Sequence, residues 1–327
     1  MARQDSDRSL PCLHRQSLKD KVAVISGSHG GLGAQIAREL SESGAKIVLN
    51  YPSSTRRDRA NTVLNSLHTP AIAVEADIST TTGPQILINA AVAAFEVIDI
   101  LVNNAGKTVD LPFEEQTLEH WETLVNVNGR GTFLLTQAAL PHLSPQGSRI
   151  INISSISAKE GMGMQTLLSG TKAMIESFTK VWAKELPPKY HCTVNCVSPG
   201  PTRTEAFGAA LAGAEFQRII NPLIEGTPVA NRPAETSEIS YAVLMLCHPR
   251  ATWLNGVNLI ELAARPAINA NASSVSLLHP SHFGHNAVSI QIAIGRQGKQ
   301  GLEYQSNVGG SRVRISHFDS PYLVNSS

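Results

Sequence analysis

The fold of this chain is decided by the stretch Lys21-Val22-Ala23-Val24-Ile25-Ser26-Gly27-Ser28-His29-Gly30-Gly31-Leu32-Gly33. Its first half is a strand-like run with an apolar centre, typical of a strand buried on both faces of a parallel sheet. The residues after the glycines place Ile36, Ala37 and Leu40 on one face of a helix. A glycine-rich turn between such a strand and such a helix predicts the first β–α unit of a dinucleotide-binding sheet.

Three glycines of this turn have separate expected roles. Gly27 follows the strand directly, where the backbone must turn sharply, and Gly31 lets the chain approach a pyrophosphate closely. Gly33 lets the helix pack closely on the strand. The helix N-terminus offers unpaired N–H groups and the positive end of its dipole, so we expect the phosphates of a dinucleotide to bind there.

Strand-like and helix-like segments alternate along the chain as far as about residue 257. The further strand-like runs are residues 46–50, 71–75, 98–102, 149–153 and 193–197, and the clearest helical periods are residues 121–140 and 167–186. This alternation is typical of a parallel sheet with crossover helices. We therefore predict an α/β fold, with a single Rossmann-type doubly wound parallel sheet flanked by helices, over residues 19–261.

The two ends of the chain lack this pattern. Residues 1–18 form an N-terminal extension without the apolar core of a secretory signal. Residues 262–327 are rich in Ser, Asn, His and Gly, which predicts an atypical, irregular C-terminal tail. The histidines of this tail, His279, His282 and His285, are spaced poorly for a metal site, so no bound metal is expected.

Composition excludes several classes of partner. The 27 Lys and Arg nearly balance the 26 Asp and Glu, and a net charge of +1 gives no field that would attract nucleic acid or an anionic membrane. No segment has the unbroken apolar length of a membrane span. The four cysteines are scattered and are expected to be reduced thiols. We therefore expect a cytoplasmic protein that has a small-molecule substrate and binds neither nucleic acid nor a membrane.

Four further blocks accompany the glycine-rich turn. They are Asn103-Asn104-Ala105-Gly106, Asn128-Gly129-Arg130-Gly131, Ser155 and Pro199-Gly200. Together with the turn they resemble the short-chain dehydrogenase/reductase family. Residues 48–54, 182–190 and 195–202 are similar to the corresponding parts of fungal reductases that act on polyhydroxynaphthalenes and anthraquinone precursors. The resemblance implies an oxidoreductase that acts on a bulky intermediate of secondary metabolism.

The resemblance also implies a nicotinamide cofactor and the residues that hold it. The second strand ends without the acidic residue that would hold a ribose 2′-hydroxyl, and neutral Asn50 and Ser53 together with His29 suit the 2′-phosphate of NADP. Arg56 and Arg57 either help to bind that phosphate or form a solvated helix face. The expected cofactor-binding residues are Gly27, Ser28, His29, Gly31, Leu32, Gly33, Asn50, Ser53, Asp77, Ile78, Asn104, Ala105, Gly106, Lys172, Pro199, Gly200, Thr202 and Thr204.

The catalytic set that the resemblance implies is incomplete. By motif position Asn128 holds a water of the proton relay, Ser155 orients the substrate carbonyl, and Lys172 binds the nicotinamide ribose. The family's tyrosine, which gives or takes the proton, falls at Leu168. The nearest tyrosine, Tyr190, precedes the sixth strand and is expected to be a packing or surface residue. A positioned general acid is worth about 10²- to 10⁴-fold in rate, so its loss limits the chemistry of the site.

Three functions are compatible with this sequence. The first is an NADP(H)-dependent reductase with altered proton delivery, in which Lys172 supplies the proton or the substrate is an iminium that needs none. The second is a cyclase of Diels–Alderase type or an isomerase, with NADP as a partner and Arg130 as an anchor or a surface residue. The third is a catalytically inactive binding subunit. Substitutions would then be expected at the other site residues as well, and these residues are retained.

Two further expectations concern the surface. The resemblance implies a homodimer or homotetramer that forms through residues 121–140 and 167–186. The apolar contact would come from Ala138, Ala139, Ile175, Phe178 and Trp182, unless these side chains face the sheet. Residues 205–231 are expected to form a variable lid over the substrate. The apolar residues of this lid are Phe207, Leu211, Phe216 and Ile220, which either face a bulky substrate or pack against the protein.

Overall fold

A computed structural model describes residues 16–261 of the chain, and within them seven parallel strands form one sheet. The strands are β1 (Val22–Ile25), β2 (Lys46–Tyr51), β3 (Ala71–Glu75), β4 (Ile100–Asn103), β5 (Ser148–Ile153), β6 (Cys192–Pro199) and β7 (Asn258–Glu261). Their order across the sheet is β3-β2-β1-β4-β5-β6-β7. This is the doubly wound arrangement that the sequence predicts, with β7 as an edge strand beyond the six periodic runs.

Helices cover both faces of the sheet. They are α1 (Gly31–Glu42), α2 (Arg57–Leu64), α3 (Gly83–Phe95), α4 (Leu118–Leu124), α5 (Thr132–Ala139), α6 (Ser157–Glu160), α7 (Thr166–Glu185), α8 (Pro187–Tyr190), α9 (Glu205–Ala210), α10 (Ala214–Glu225) and α11 (Thr236–Cys247). On one face Leu40 of α1 and Val243 of α11 share a buried cluster with the strands. On the other face Leu87 of α3, Leu135 of α5 and Trp182 of α7 form a second buried cluster. The fold prediction is confirmed.

The helix predicted over residues 121–140 is interrupted. A π-helical segment, Val125–Gly131, separates α4 from α5, and a 3₁₀ turn follows α5 at Leu140–His142. The segment contains Gly129 and Gly131, and a Cβ on Gly131 would lie 2.8 Å from the carbonyl oxygen of Ile78. A regular helical period cannot reveal this close contact, because it depends on a loop distant in sequence. Segments of this kind are frequent at functional sites.

Most of the side chains expected at a subunit contact are already buried within the chain. Ala139, Ile175 and Trp182 pack in the core, so they have no apolar surface to offer a second subunit. The exposed apolar side chains of the same helices are different ones: Phe133 of α5 is 42% exposed and Val181 of α7 is 47% exposed. The oligomer stays a prediction, and the candidate contact residues become Phe133 and Val181.

Several expectations fall outside residues 16–261, namely the tail 262–327, its histidines and most of the extension 1–18. Within the described residues, no helix is both long enough and apolar enough to cross a membrane. The described residues also contain no cluster of His, Cys, Asp and Glu suited to a metal ion. Cys192, Cys196 and Cys247 are buried free thiols. Burial raises the pKa of Cys196 to about 11, so this thiol stays protonated and acts as a packing residue.

Candidate active site

The strand order reverses direction between β1 and β4, and the carboxyl ends of these two strands border a crevice. Gly27 follows β1 with a φ of +62°, in the left-handed region that favours glycine. A Cβ on Gly27 would lie 2.9 Å from the Cα of Ala105, which follows β4. The side chain of Asn104 donates a hydrogen bond to the carbonyl of Ser26 at 2.9 Å. The predicted blocks after β1 and β4 therefore meet in space.

The N-terminus of α1 opens into this crevice. Gly31 is the first residue of α1 and has a φ of +54°. A Cβ on Gly33 would lie 2.7 Å from the carbonyl oxygen of Gly27, so the close packing expected at Gly33 is present. Thr204, which caps α9 by accepting a hydrogen bond from the Phe207 N–H, would lie 3.8 Å from a Cβ on Gly31. Thr204 thus borders the N-terminus of α1.

Asn50 lies inside the protein rather than on the surface of the crevice. Its Oδ1 accepts a hydrogen bond from the Gly27 N–H at 3.0 Å, and its Nδ2 donates to the carbonyl of Ala76 at 2.8 Å. The Asn50 N–H in turn donates to Ser28 Oγ at 2.9 Å. Asn50 and Ser28 therefore brace the glycine-rich turn. We assign Asn50 a positioning role, since its polar atoms are occupied before any phosphate binds.

Basic side chains gather where β2 and α2 approach the glycine-rich turn. The pKa of His29 is lowered by burial and by the nearby charges of Arg59 and Arg56. Arg59 also lies beside Gly30 and forms an ion pair with Glu205 at the start of α9. Arg57 turns away and pairs with Glu75 at 2.9 Å. Sequence reasoning missed Arg59, although its spacing of three from Arg56 places both on one helical face.

The remaining predicted cofactor residues border the same crevice or the loops beside it. Asp77 accepts a hydrogen bond from the Ser79 N–H at 2.9 Å, and Ile78 is buried against Gly131. Pro199 ends β6, and Thr202 donates to the carbonyl of Gly200 at 2.9 Å. Ser53 occupies the N-cap position of the 3₁₀ turn Ser54–Arg56 without a side-chain capping bond, and Leu32, in the first turn of α1, packs against the core.

These surroundings fit a phosphorylated dinucleotide. The glycines leave a cradle that any Cβ would fill, and the first N–H groups of α1 face it. His29 Nδ1 is buried and has no hydrogen-bond partner among the described residues. Arg56 and Arg59 place positive charge beside this atom. A pyrophosphate would meet the N–H donors of α1 here. An additional phosphate on the ribose would meet the positive charges of Arg56 and Arg59.

Lys172 lies in the middle of α7 and points its ammonium toward the end of β5. Its Nζ donates a hydrogen bond to the carbonyl of Ile153 at 2.8 Å. A Cβ on Gly106 would lie 3.2 Å from this Nζ and 3.4 Å from Asn128 Oδ1, so the lysine and the asparagine meet at Gly106. Burial lowers the pKa of Lys172 to about 8. The lysine can therefore exchange a proton near neutral pH.

The π-helical segment presents Asn128 to the site. Asn128 Oδ1 accepts a hydrogen bond from the Lys107 N–H at 2.8 Å, while Nδ2 donates to the Lys107 carbonyl at 3.0 Å and to Thr171 Oγ1 at 3.0 Å. Arg130 of the same segment donates to the carbonyl of Ser79 at the surface. The predicted asparagine thus lies beside α7, whereas Arg130 holds a neighbouring loop.

Leu168 lies one helical turn before Lys172 on α7, where a phenol at this position would be in reach of the ammonium. Its side chain is 9% exposed and packs with Leu124, Leu167 and Val109. Tyr190 packs just before the amino end of β6, whereas the site lies at the carboxyl ends of the strands, so it cannot replace the missing phenol. Ser155 follows β5 and accepts a hydrogen bond from the Ser157 N–H at 3.2 Å.

A buried carboxylate, Glu176, lies one further turn along α7 and was not expected from the sequence. Its Oε1 accepts hydrogen bonds from Ser154 Oγ and Ser198 Oγ, each at 3.2 Å, and its Oε2 pairs with Lys159 of α6. This set ties β5, β6 and α6 to the helix of Lys172. The signal available in the sequence is the spacing of four between Lys172 and Glu176.

The fold and the crevice define a dinucleotide-binding α/β protein. A family model described as enoyl-(acyl carrier protein) reductase matches residues 27–260. The chain belongs to the short-chain dehydrogenase/reductase family, which makes it a member of an oxidoreductase family.

Individual relatives agree with this assignment. The chain is 36% identical to the short-chain dehydrogenase/reductase FrzI of Cladobotryum sp., over 80% of this chain and 98% of the relative. It is 33% identical to the hydroxynaphthalene reductase-like protein Arp2 of Metarhizium anisopliae, over 74% and 93% respectively. A crystal structure of a Burkholderia cenocepacia short-chain dehydrogenase in complex with NADP is 29% identical and superposes with a TM-score of 0.68, over 76% of this chain and 98% of that one.

Proposed function

We propose that this chain is an NADPH-dependent short-chain reductase that acts on a ketone or iminium carbon of a bulky intermediate in fungal secondary metabolism. The observation that supports the proposal is the placement of Lys172 and Asn128 beside Gly106, at the end of a crevice that fits a phosphorylated dinucleotide. A decayed binding subunit would not be expected to retain this arrangement. The fungal relative named as a hydroxynaphthalene reductase-like protein supports the substrate class.

The bound reduced nicotinamide would supply a hydride. Lys172 would hold the ribose and, for a ketone, would be the nearest buried group able to provide the proton that Leu168 cannot. Loss of a positioned general acid costs about 10²- to 10⁴-fold in rate, so ketone reduction at this site is expected to be slow. An iminium carbon needs no proton after hydride addition. Leu168 therefore favours the iminium over the ketone.

The expected lid over the substrate is consistent with a bulky molecule. Phe216 and Ile220 of α10 are buried and hold the lid together, and Phe207 of α9 meets Phe216 edge to face at 6.4 Å. Ile219 reaches the loop after α6, where a Cβ on Gly163 would lie 3.2 Å from its Cδ1. The lid therefore touches the segment that follows Ser155. Half of the predicted apolar surface packs inward, and Phe207 and Leu211 remain for the substrate.

A second candidate function is cyclisation without hydride transfer. Leu168, Leu167, Leu124 and Val109 form a continuous apolar cluster next to Lys172. Such a wall could hold a reactive substrate in a productive conformation, where positioning alone can be worth several kcal/mol. The two functions differ in whether the cofactor is consumed.

One experiment tests both. The purified chain is mixed with ketone and iminium substrates, with and without NADPH, while cofactor absorbance and product mass are recorded. We expect NADPH consumption. The product of the ketone should be about two mass units heavier, because reduction adds a hydride and a proton, and the neutral amine from the iminium should be about one mass unit heavier than the cation, because only a hydride is added. Product that keeps the mass of the substrate and forms without NADPH would replace the reductase by the cyclase.

A further inference from the structure

A chain of hydrogen bonds leads away from Ser155 to a carboxylate. Ser155 Oγ lies 3.0 Å from Ser157 Oγ, and Ser157 Oγ donates to Gln165 Oε1 at 2.7 Å. Gln165 Nε2 donates to Asp110 Oδ1 at 2.6 Å. Ser157 and Gln165 are buried, while Asp110 is half-buried on the loop that follows β4. The path thus joins Ser155, which follows β5, to the loop that follows β4.

The carboxylate fixes the direction of every bond in this path. An ionised carboxylate only accepts hydrogen bonds, so the Gln165 amide must turn its NH₂ toward Asp110 and its oxygen toward Ser157. That oxygen takes the single hydroxyl proton of Ser157; Met162 Sδ, at 3.6 Å, is a second acceptor for the same proton. The Ser157 oxygen can then only accept from Ser155. The Ser155 proton therefore points into the protein.

The Ser157 N–H also donates to Ser155 Oγ, at 3.2 Å. Ser155 is thus held at two points by the same neighbour, and what it offers the cleft is a lone pair rather than a proton. A carbonyl oxygen has no proton to give to that lone pair. To bind a carbonyl, Ser155 would have to turn its proton outward and leave Ser157 Oγ without its donor, which forfeits one hydrogen bond.

We infer that the reacting group of the substrate is itself a hydrogen-bond donor, the N–H of a protonated imine, and that Ser155 accepts its hydrogen bond. The inference rests on the proposed reductase function and narrows its substrate class. An alcohol would also donate to Ser155, but an alcohol is a substrate for oxidation, whereas the proposed function is a reduction. The negative charge of Asp110 polarises the whole path toward accepting from a cation.

The chemistry of a protonated imine balances at this site. A hydride from the reduced nicotinamide cofactor forms the new C–H bond at the iminium carbon, and the π pair of the C=N bond moves to nitrogen. The nitrogen keeps its proton and becomes a neutral amine, while the cofactor is oxidised. No proton has to be delivered, which agrees with a leucine at position 168.

Three probes of nearly one size separate the possibilities. Protonated 3,4-dihydroisoquinoline has the N–H, 2-methyl-3,4-dihydroisoquinolinium keeps the charge without it, and 1-tetralone presents a neutral carbonyl. Their dissociation constants are measured by calorimetry on the full chain saturated with NADP⁺, which has no hydride to transfer. A mildly acidic pH keeps the imine protonated. We expect the protonated imine to bind roughly two- to tenfold tighter than the methylated salt, the factor that one net hydrogen bond provides.

The decisive variant is Ser157→Ala. Without the Ser157 oxygen, Ser155 turns its proton outward, so the preference for protonated imine over 1-tetralone should fall by roughly two- to tenfold. Ser169→Ala is the matched control, because Ser169 Oγ is buried without a hydrogen-bond partner among the described residues, and it should leave the preference unchanged. Equal binding of the two cations by the wild type, or an unchanged preference in Ser157→Ala, would overturn the inference.

The same measurements separate this inference from the proposed function. A chain that binds NADP⁺ and reduces 1-tetralone with NADPH, while showing no preference for the N–H, keeps the reductase function and loses the inference. A chain that binds no NADP⁺, or that reduces none of the three probes, loses both. Thermal unfolding of each variant confirms that it is folded before its affinities are compared.

Discussion

Lys172 Nζ and the Ile153 carbonyl oxygen are joined by a 2.8 Å hydrogen bond that ties the middle of α7 to the last residue of β5. This bond holds the buried ammonium of Lys172, one helical turn after Leu168, at the carbonyl of a residue that lies two positions before Ser155. Burial lowers the pKa of Lys172 to about 8. The charge of the site therefore changes within the range in which enzymes are commonly assayed.

A pH profile tests whether Lys172 supplies the proton for ketone reduction. Because the ammonium is lost as the pH rises through about 8, kcat/KM for 1-tetralone should fall above that pH. Reduction of 2-methyl-3,4-dihydroisoquinolinium needs no proton, so its rate should not fall with the lysine. This salt has no N–H to titrate, which makes it the control. A ketone rate that stays flat through that range would exclude Lys172 as the donor.

The same burial predicts that Lys172 destabilises the fold. The pKa of Lys172 drops from 10.5 to about 8 on folding, so between these values the unfolded chain binds more protons and stability rises with pH. Below about pH 8 the full free-energy cost of burying the Lys172 ammonium is present. Lys172→Met should therefore increase the free energy of unfolding at neutral pH by about 1 to 3 kcal/mol, and the gain should shrink as the pH rises through that window.

Urea denaturation at a series of pH values measures this effect. Lys180→Met is the matched control, because Lys180 lies on α7 and is exposed. It should change the free energy of unfolding little at any pH. A Lys172→Met variant that is less stable than the wild type at neutral pH would show that the Ile153 hydrogen bond outweighs the desolvation of the charge.

The sequence predicts those parts of the molecule that depend on local pattern. The run before Gly27, the glycine spacing and the helical period around Lys172 each follow from neighbouring residues, and each lies where expected. Asn50 was expected to face a phosphate because its type suits one, but its side chain is directed by the Gly27 N–H and the Ala76 carbonyl. These hydrogen-bond partners can be identified only from the three-dimensional arrangement of the strands.

Long-range contacts explain the other omissions. Arg59 contacts Glu205, 146 residues away, and Gln165 contacts Asp110, 55 residues away. Neither pair forms a recognisable spacing. The π-helical turn at Asn128 depends on the close approach of Gly131 to Ile78, which is likewise a tertiary contact. Sequence patterns therefore indicate candidate catalytic residues but do not indicate the residues that contact and orient them.

Cofactor choice should depend on Arg59 and Ser53. Arg59 lies beside Gly30 and His29, so Arg59→Gln should weaken NADPH binding by about three- to tenfold and leave NADH nearly unchanged, because only NADPH has the 2′-phosphate. Ser53→Asp should act in the same direction through like-charge repulsion. Calorimetric titration with both cofactors measures the ratio.

Arg57→Gln is the control for this experiment, because Arg57 is paired with Glu75 and should not affect the ratio. Wild-type protein that binds NADH as tightly as NADPH would contradict the assignment of NADP as cofactor. Equal losses in Arg59→Gln and Arg57→Gln would show that only the general positive field near α2 matters.

The oligomer prediction now rests on exposed residues of α5 and α7. Phe133 packs tilted on Phe178 at 6.1 Å and leaves 42% of its surface exposed, and Phe178 lies three residues before the exposed Val181 on α7. We expect sedimentation to show a dimer or tetramer at micromolar concentration and Phe133→Lys to dissociate it, since a charge would be buried at the contact. Ile86→Lys, on α3 and 50% exposed, should leave assembly intact. A monomeric wild type would contradict the prediction.

The last prediction concerns Leu168. Restoring the phenol in Leu168→Tyr places a hydroxyl one helical turn from Lys172, whose positive charge lowers the phenol pKa. If the chain is a reductase limited by proton delivery, kcat/KM for 1-tetralone should rise by about tenfold or more, and the increase should disappear in the double variant with Lys172→Met. Reduction of the iminium should stay the same or fall, because the phenol crowds the cleft.

Leu167→Tyr provides the matched control, since Leu167 is also 9% exposed in the same apolar cluster but lies five residues from Lys172. It should disturb packing to a similar extent without a gain in ketone reduction. Equal gains in both variants would mean that any polar group in this cluster suffices. Full turnover of the native substrate by the wild type in the absence of cofactor would instead exclude hydride transfer, and Leu168 would then be part of a cyclase wall.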